Sequence, residues 1–182
     1  TLGQSDNNQW KRARWGRITA SNFGCVCKRL KTLNNPDSKL SKDTTPIISK
    51  LMGYSQPNSD ISSLVYGREN EERALEAYRA LRMEEGHKVA MEPIGLVISS
   101  THPFLAASPD SVVRCDCCGE GLVEAKCLFS KQHGSVKLAK FLSTVDGETH
   151  LKRQDNYFFQ VQGQLAITGK KYCDFVVFNE DE

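Results

Sequence analysis

The stretch that decides the fold is SPDSVVRCDCCGEGLVEAKC, residues 108–127. Two mostly apolar runs, residues 111–115 and 121–127, flank a turn rich in Cys, Gly and Asp. Short apolar runs on either side of such a turn are typical of two strands joined in a hairpin. Side chains alternate between the two faces of a strand, so Glu124 and Lys126 are predicted to share one face.

Three side chains of this stretch form a candidate site. Asp110 lies in a Ser-Pro-Asp turn before the first strand, and the hairpin is expected to bring it to the face of Glu124 and Lys126. Mg²⁺ prefers carboxylate and carbonyl oxygens, and a lysine beside them can position or deprotonate an attacking water. The arrangement resembles the PD-x(n)-ExK pattern of the PD-(D/E)xK nuclease superfamily, although Pro-Asp turns and ExK pairs are also common on ordinary strands.

In the rest of the chain, the spacing of the apolar residues changes at Gly86. A helical period precedes it, and short runs separated by Pro, Gly, Ser and Asp follow it, which is typical of a strand meander. Helices are predicted at residues 5–14, 19–30, 47–53, 61–83 and 154–168, and strands at residues 88–93, 94–99, 104–108, 111–115, 121–127 and 172–178. This order predicts one α/β (mixed α+β) domain over residues 1–182, with a central mixed β-sheet flanked by helices.

Local signals refine three of these helices. Ser5 or Asp6 is expected to cap the first helix, and Thr19 or Ser21 the second. The pattern of the longest helix predicts five residues that point inward: Leu64, Ala74, Leu75, Tyr78 and Leu81.

Charge is unevenly distributed along the chain. Residues 1–50 carry ten basic and three acidic side chains, whereas the whole chain has a net charge of +2. Clusters of Lys and Arg bind polyanions, so this basic segment is expected to contact nucleic acid, unless it is a solvated helix face. No run approaches the about 18 apolar residues of a membrane helix. Seven Cys without a repeating framework favour an intracellular protein with reduced thiols.

Five motifs occur in one order along the chain. They are Arg14-Trp-Gly-Arg17-Ile-Thr-Ala-Ser21, Gly67-Arg-Glu-Asn-Glu71-Glu-Arg-Ala74, Ala107-Ser-Pro-Asp110, Gly121-Leu-Val-Glu124-Ala-Lys126-Cys127 and Tyr157-Phe-Phe-Gln160-Val-Gln162. They resemble the RxGxxTAS, GxxxExxA, SPD, GLxExKC and YxxQVQ motifs of the phage lambda exonuclease / YqaJ-like viral recombinase family. The resemblance implies a restriction-endonuclease-like PD-(D/E)xK core.

The same resemblance implies roles for individual residues. The metal ligands would be Glu71, Asp110, Glu124 and the carbonyl oxygen of Ala125, and the register of Gly67 and Ala74 selects Glu71 over Glu69 and Glu72. Lys126 matches the catalytic lysine, and Gln160 matches a residue that borders the active centre. The residues implied to bind DNA or its 5′ phosphate are Arg14, Arg17, Ser21 and Tyr157.

The activity that the resemblance implies is Mg²⁺-dependent hydrolysis of linear double-stranded DNA from an end, 5′ to 3′, in recombination. Mn²⁺ is expected to substitute for Mg²⁺. The implied partners are DNA ends, a single-strand annealing protein and further copies of the chain in a ring trimer, with no membrane. Two alternatives stay open at this point: a related metal-dependent endonuclease or nickase, and a DNA-binding module that has lost catalysis.

Two features depart from the family pattern. Ser111 stands where the family commonly has glycine, which removes no ligand. The turn formed by Cys115, Cys117 and Cys118 has no counterpart in the family, and together with Cys25 and Cys27 it could in principle hold zinc. Because a second CxxC at the proper spacing is absent, we interpret these residues as reduced surface thiols.

Overall fold

The computed structural model describes residues 1–55, 61–129 and 139–180. The chain divides into two compact units that each collect three segments. The first unit consists of Thr1–Pro57, Gly95–Ser108 and Arg153–Thr168, and the second of Asn58–Ile94, Pro109–Lys152 and Gly169–Glu182. That residues 1–182 act as a single nuclease domain stays a prediction. No helix among the described residues is long and apolar enough to cross a membrane.

The first unit combines four helices with three short strands. Its elements are α1 (Asn8–Arg14), β1 (Ile18–Thr19), α2 (Ala20–Asn34), α3 (Thr45–Leu51), β3 (Val97–Ile98), β4 (Leu105–Ala107) and α5 (Asn156–Thr168). The strand β4 lies between β1, to which it is parallel, and β3, to which it is antiparallel.

The first helix begins later than the sequence predicted. Residues Gln4–Asp6 form a separate 3₁₀ turn, so the predicted cap at Ser5 or Asp6 was wrong. Asn7 caps α1 instead, because its Oδ1 accepts hydrogen bonds from the backbone N–H groups of Gln9 (2.8 Å) and Trp10 (3.4 Å). Thr19 occupies the cap position of α2, as predicted, but its side chain makes no capping hydrogen bond.

Two glycines allow α2 and α5 to approach closely. A Cβ atom at Gly24 would lie 2.8 Å from the Cα atom of Asn156, and one at Gly163 would lie 2.6 Å from ring atoms of Phe23. Distances this short are not tolerated in well-packed interiors. The packing of these two helices therefore requires glycine at both positions.

The second unit contains the main sheet and the longest helix. Its elements are α4 (Ser62–Glu84), β2 (Val89–Pro93), β5 (Ser111–Cys115), β6 (Gly119–Cys127), β7 (Leu142–Val145), β8 (Glu148–Leu151) and β9 (Cys173–Phe178). The sheet order is β2-β5-β6-β9, with antiparallel pairs up to β6 and a parallel pair between β6 and β9. This arrangement confirms the predicted mixed sheet and the predicted hairpin of β5 and β6.

The predicted meander through residues 88–127 was wrong in one respect. The strands β3 and β4 leave the order of the main sheet and pair with β1 in the first unit. Alternation and turn residues identify a strand but not its neighbour. Strands of two and three residues give the sequence little pattern from which a partner could be assigned.

A small apolar core lies in the second unit. It contains the buried side chains of Tyr78, Val89, Val113, Cys115 and Val123, with Leu75 packed against them. The Tyr78 hydroxyl also donates a hydrogen bond of 2.5 Å to Oδ2 of Asp174 on β9.

The buried face of α4 is narrower than the sequence predicted. Its buried positions are Asn70, Ala74 and Tyr78, four residues apart. Leu64 and Leu81 are exposed, so their predicted inward orientation was wrong. Gly67 lies within the helix without interrupting it.

A second hairpin, formed by β7 and β8, was not predicted. Its turn contains Asp146 and Gly147, both with positive φ (52° and 84°). Two successive residues in this conformation favour a tight hairpin turn, and Asp-Gly is a common pair for it.

Alanine substitutions at two glycines are expected to have opposite effects on stability. Gly24 lies where α2 and α5 pack closely, whereas Gly67 lies in α4 with open space around it. We expect Gly24→Ala to lower the free energy of unfolding by about 1–3 kcal/mol, because the new Cβ would overlap Asn156. Gly67→Ala is the matched control, since a Cβ there meets no atom within 4 Å. It should raise that free energy by up to about 1 kcal/mol through helix propensity. Urea unfolding of both variants measures the difference, and equal shifts would contradict the packing argument.

Candidate active site

Backbone hydrogen bonds place Asp110 against β6. Its N–H donates to the carbonyl oxygen of Val123 (3.2 Å), and its Oδ2 accepts from the N–H of Ala125 (2.7 Å). Ser111, the next residue, is the register partner of Val123 in the hairpin. The start of β5 therefore holds the Asp110 carboxylate beside the middle of its neighbouring strand.

Glu124 and Lys126 share one face of β6, as the alternation predicted. The Lys126 Nζ lies 2.5 Å from Oε1 of Glu124. Glu124 is only 1% exposed, whereas the Lys126 side chain is 23% exposed. A buried carboxylate loses its hydration, and a charge-assisted hydrogen bond from an ammonium group offsets part of that cost. Lys126 thus stabilises the charge of Glu124 while its side chain keeps contact with solvent.

Glu71 faces the same group of charges from α4. It is half-buried, whereas Glu69 and Glu72 are exposed, and its neighbour Asn70 is on the buried stripe of the helix. Burial and the carboxylate of Glu124 raise the pKa of Glu71, and the Lys126 ammonium opposes this shift. Glu71 is therefore half-buried and interacts electrostatically with Glu124 and Lys126 of the strand.

The pKa of Asp110 is raised well above its usual range. The main cause is burial, followed by the carboxylate of Glu124, and the Lys126 ammonium opposes the shift. Glu71 adds a further raising contribution. The group thus contains three carboxylates and one ammonium in a poorly solvated environment, which leaves an excess of negative charge.

Glu71, Asp110 and Glu124 are side chains that could contribute ligands to a divalent cation. Their ligand atoms are carboxylate oxygens, and hard cations such as Mg²⁺ prefer oxygen ligands. A cation would also compensate the charge that raises the pKa of Asp110 and Glu71. The buried residue Ala125, whose carbonyl oxygen was predicted as a further ligand, lies between Glu124 and Lys126 on β6.

Arg14 and Ser21 lie together in the first unit. The Arg14 Nη2 donates to Oγ1 of Thr19 (3.3 Å) and Oγ of Ser21 (3.4 Å), and its guanidinium lies 4.1 Å from the centre of the Trp10 ring. Burial lowers the pKa of Arg14 to about 10, so the side chain stays cationic at neutral pH. A cation and two hydroxyl groups thus meet at the start of α2.

The sequence analysis missed the contributions of Thr19 and Trp10 to this cluster. Thr19 belongs to the same motif as Arg14 and Ser21, which was the available signal. Trp10 lies one helical turn before Arg14, and its indole N–H donates to Oγ of Ser108 (2.6 Å). A ring at this spacing can stack under an arginine, but the sequence does not reveal which way either side chain turns.

The other residues predicted to bind DNA have different surroundings. The Arg17 guanidinium donates to the carbonyl oxygens of Pro103 (2.9 Å) and Ala13 (2.6 Å), so it connects two backbone segments of the first unit. Tyr157 and Gln160 are half-buried on α5. Their predicted roles beside the reacting phosphate, and that of Arg17 in DNA binding, stay predictions.

The chain is similar to a known family and to solved structures. The model of the YqaJ-like viral recombinase domain matches residues 9–171. The crystal structure of an alkaline exonuclease from Laribacter hongkongensis, LHK-Exo, is similar at 26% identity and a TM-score of 0.59. LHK-Exo in complex with dAMP gives 25% identity and a TM-score of 0.64. Both comparisons cover 97% of this chain and 76% of the other. No curated protein matches the chain.

A mixed sheet in an α/β structure similar to that of LHK-Exo defines the PD-(D/E)xK class of nucleases. The chain belongs to the YqaJ-like viral recombinase family. This confirms the predicted family and the predicted fold class. It also confirms the predicted enzyme class, which is a deoxyribonuclease.

The raised pKa of Asp110 predicts how replacing its carboxyl group with an uncharged amide changes the stability of the protein. The measurement is made in the absence of divalent cations. The folded state binds the Asp110 proton more tightly than the unfolded state does, whose pKa is about 3.9. That contribution to stability is complete below the unfolded pKa and is lost as the pH rises towards the folded pKa. We therefore expect Asp110→Asn to unfold at a higher temperature than wild type at pH 8, with the difference shrinking towards pH 4.

Thermal unfolding followed by circular dichroism between pH 4 and pH 8 measures this difference. Asp146→Asn is the matched control, because it removes one exposed carboxylate from the turn between β7 and β8. Because an exposed carboxylate keeps its hydration, this substitution should change the unfolding temperature little. An Asp110→Asn protein that is less stable than wild type at pH 8 would argue against an excess of buried negative charge.

Proposed function

We propose that the chain is a Mg²⁺-dependent DNA exonuclease that digests linear double-stranded DNA from 5′ to 3′ and leaves a 3′ single strand for recombination. The observation that carries the proposal is the charge group of the second unit, in which Lys126 contacts Glu124, and in which burial and the carboxylates of Glu124 and Glu71 raise the pKa of Asp110. Groups whose pKa is shifted by burial and by specific neighbouring charges are concentrated at functional sites. The exonuclease activity of LHK-Exo supports the same reading.

Glu71, Asp110, Glu124 and the Ala125 carbonyl would hold one or two Mg²⁺ ions. When bound, the metal neutralises charge on the scissile phosphate and on the leaving 3′ oxygen. Mn²⁺, which accepts similar ligands and geometry, is expected to substitute. Ca²⁺ is larger and less demanding in geometry, so it should bind and support hydrolysis poorly.

Lys126 would orient the attacking water in line with the scissile bond. Its Nζ contacts Glu124, its side chain is 23% exposed, and an ammonium group has three N–H donors. The family resemblance adds Gln160 as a second residue that orients the water.

Arg14 and Ser21 would receive the 5′ phosphate of a DNA end. A guanidinium binds phosphate through charge-assisted hydrogen bonds, and the N–H groups at the start of α2 favour an anion. The basic residues of segment 1–50 would contact the DNA backbone with little base specificity. A single-strand annealing protein and a ring trimer stay predictions from the family resemblance.

Loss of Lys126 is expected to stop hydrolysis and to leave DNA binding nearly unchanged. We expect Lys126→Ala to lower the cleavage rate about 10²–10⁴-fold, as for a residue that positions or activates the attacking water. Its affinity for DNA should change only a few-fold, because one lysine among many phosphate contacts adds little to binding. Lys171→Ala, which removes an exposed lysine of the same unit, should keep near wild-type activity.

A time course on end-labelled linear duplexes, with Mg²⁺, Mn²⁺, Ca²⁺ or EDTA, measures this effect. Supercoiled closed circles in parallel reactions test for internal cutting. Rapid cutting of the circles would favour an endonuclease. Wild-type turnover by Lys126→Ala, or full activity in EDTA, would contradict the proposed site. Binding without any cleavage by the wild-type chain would favour a DNA-binding module.

The Arg14 cluster predicts a preference for phosphorylated ends. A terminal phosphate carries more charge than an internal phosphodiester, and a charge-assisted contact contributes about 1.5–3 kcal/mol, or about ten- to a hundredfold in rate. We expect a 5′-phosphorylated duplex to be digested at least about tenfold faster than its 5′-hydroxyl counterpart. Arg14→Ala should remove most of this difference.

Arg12→Ala is the matched control for Arg14→Ala. It removes an exposed arginine from the same helix. Its expected effect is a small loss of rate that is equal for both substrates, because a backbone contact does not depend on the end group. Equal rates of digestion of both duplexes by the wild-type protein would mean that Arg14 and Ser21 do not recognise the 5′ phosphate.

A further inference from the structure

One histidine and three cysteines of the second unit form a compact group. They are His87, Cys115, Cys117 and Cys118, and their ligand atoms all lie within 4.8 Å of one another. Cys115 ends β5, Cys117 and Cys118 lie in the turn before β6, and His87 lies between α4 and β2. The mechanism proposed above uses none of them.

Strand register explains why His87, which is distant in sequence, lies beside the turn that contains Cys117 and Cys118. The strand β2 runs antiparallel to β5, and Val89 pairs with Cys115. His87 precedes Val89 by two residues, so the chain before β2 continues alongside the end of β5. The tight turn between β5 and β6, in which Cys115 pairs with Gly119, places the other two thiols at the same point.

The distances within the group are close to those of a tetrahedral ligand shell. His87 Nδ1 lies 3.7, 3.1 and 3.6 Å from the sulfur atoms of the three cysteines, in chain order. The sulfur of Cys117 lies 3.2 Å from that of Cys115 and 3.6 Å from that of Cys118. Zinc at its usual bond lengths places tetrahedral ligands about 3.8 Å apart for two sulfurs and about 3.5 Å apart for sulfur and nitrogen. Small movements of side chains would therefore admit one ion.

We propose that His87, Cys115, Cys117 and Cys118 bind one Zn²⁺ ion through Nδ1 and three thiolates. Three thiol protons leave to solvent when the ion binds, and the complex then carries one negative charge. The Arg82 Nη2 lies 3.7 Å from the sulfur of Cys118, so a guanidinium is in place to compensate that charge. Three sulfurs and one imidazole favour zinc over the hard cations that suit the carboxylates.

The role of this zinc is structural. Protein atoms fill all four positions, and no ligand site is left for water or substrate. Along β5, Cys115 lies about 13 Å from Ser111, the residue next to Asp110, at the usual rise per residue. The ion would join the end of α4 and the start of β2 to the hairpin that carries Glu124 and Lys126. Its loss should therefore lower stability before it changes the chemistry.

Metal analysis of the full chain, purified with a reductant and without chelator, tests the proposal independently of nuclease activity. We expect about one zinc per chain in the wild type and less than about 0.1 in Cys117→Ser and His87→Ala. Cys27→Ser, which removes a thiol outside the group, should keep its zinc. Asp110→Asn should also keep it, which separates this site from the carboxylates.

Cobalt gives a second measurement that needs no variant to fold. Co²⁺ added to the metal-free wild-type chain should produce thiolate-to-metal charge-transfer absorption and the strong visible bands of a tetrahedral ion, and Zn²⁺ should displace both. Absence of these bands together with absence of zinc would overturn the proposal. So would zinc that persists in Cys117→Ser, or a disulfide within the group detected by mass as the loss of two hydrogens.

Discussion

The structure of the second unit depends on a carboxylate that is taken out of water. Glu124 lies in the middle of the main sheet at 1% exposure, with its charge held by Lys126 two residues further along the same strand. Asp110 and Glu71 add negative charge that this one ammonium cannot balance. Such an arrangement survives only if the surrounding structure holds it, and the backbone hydrogen bond from Ala125 to Asp110 shows how the hairpin does so. This concentration of buried carboxylates costs stability.

The parts of the fold that depend on residues close together in the sequence were predictable. The hairpin of β5 and β6 follows from two apolar runs and the turn between them, and the shared face of Glu124 and Lys126 follows from strand alternation. The partners of β3 and β4 were not predictable, because their pairing with β1 joins segments far apart in sequence. The hairpin of β7 and β8 was overlooked although its Asp-Gly turn is a recognised signal.

The residues of the candidate sites were likewise predictable only in part. Glu71 was selected over its acidic neighbours by the register of Gly67 and Ala74 in the family motif, and it is the one of the three that is half-buried. Leu64 and Leu81 were assigned to the core on the helical pattern alone, and both are exposed because the buried stripe of α4 is narrow. His87 escaped notice because its closeness to the cysteine turn arises from the pairing of Val89 with Cys115, a register that the sequence does not reveal.

The parallel pair between β6 and β9 has a consequence for biosynthesis. Glu124 and Lys126 pair in register with Phe175 and Val177, about fifty residues later in the chain. Until β9 emerges from the ribosome, β6 is an edge strand, and its backbone groups and acidic side chains lie open to water and to other chains. The strand β6 becomes interior only when β9 has been made. Glu124 and Lys126 therefore reach their folded surroundings late in the synthesis of the chain.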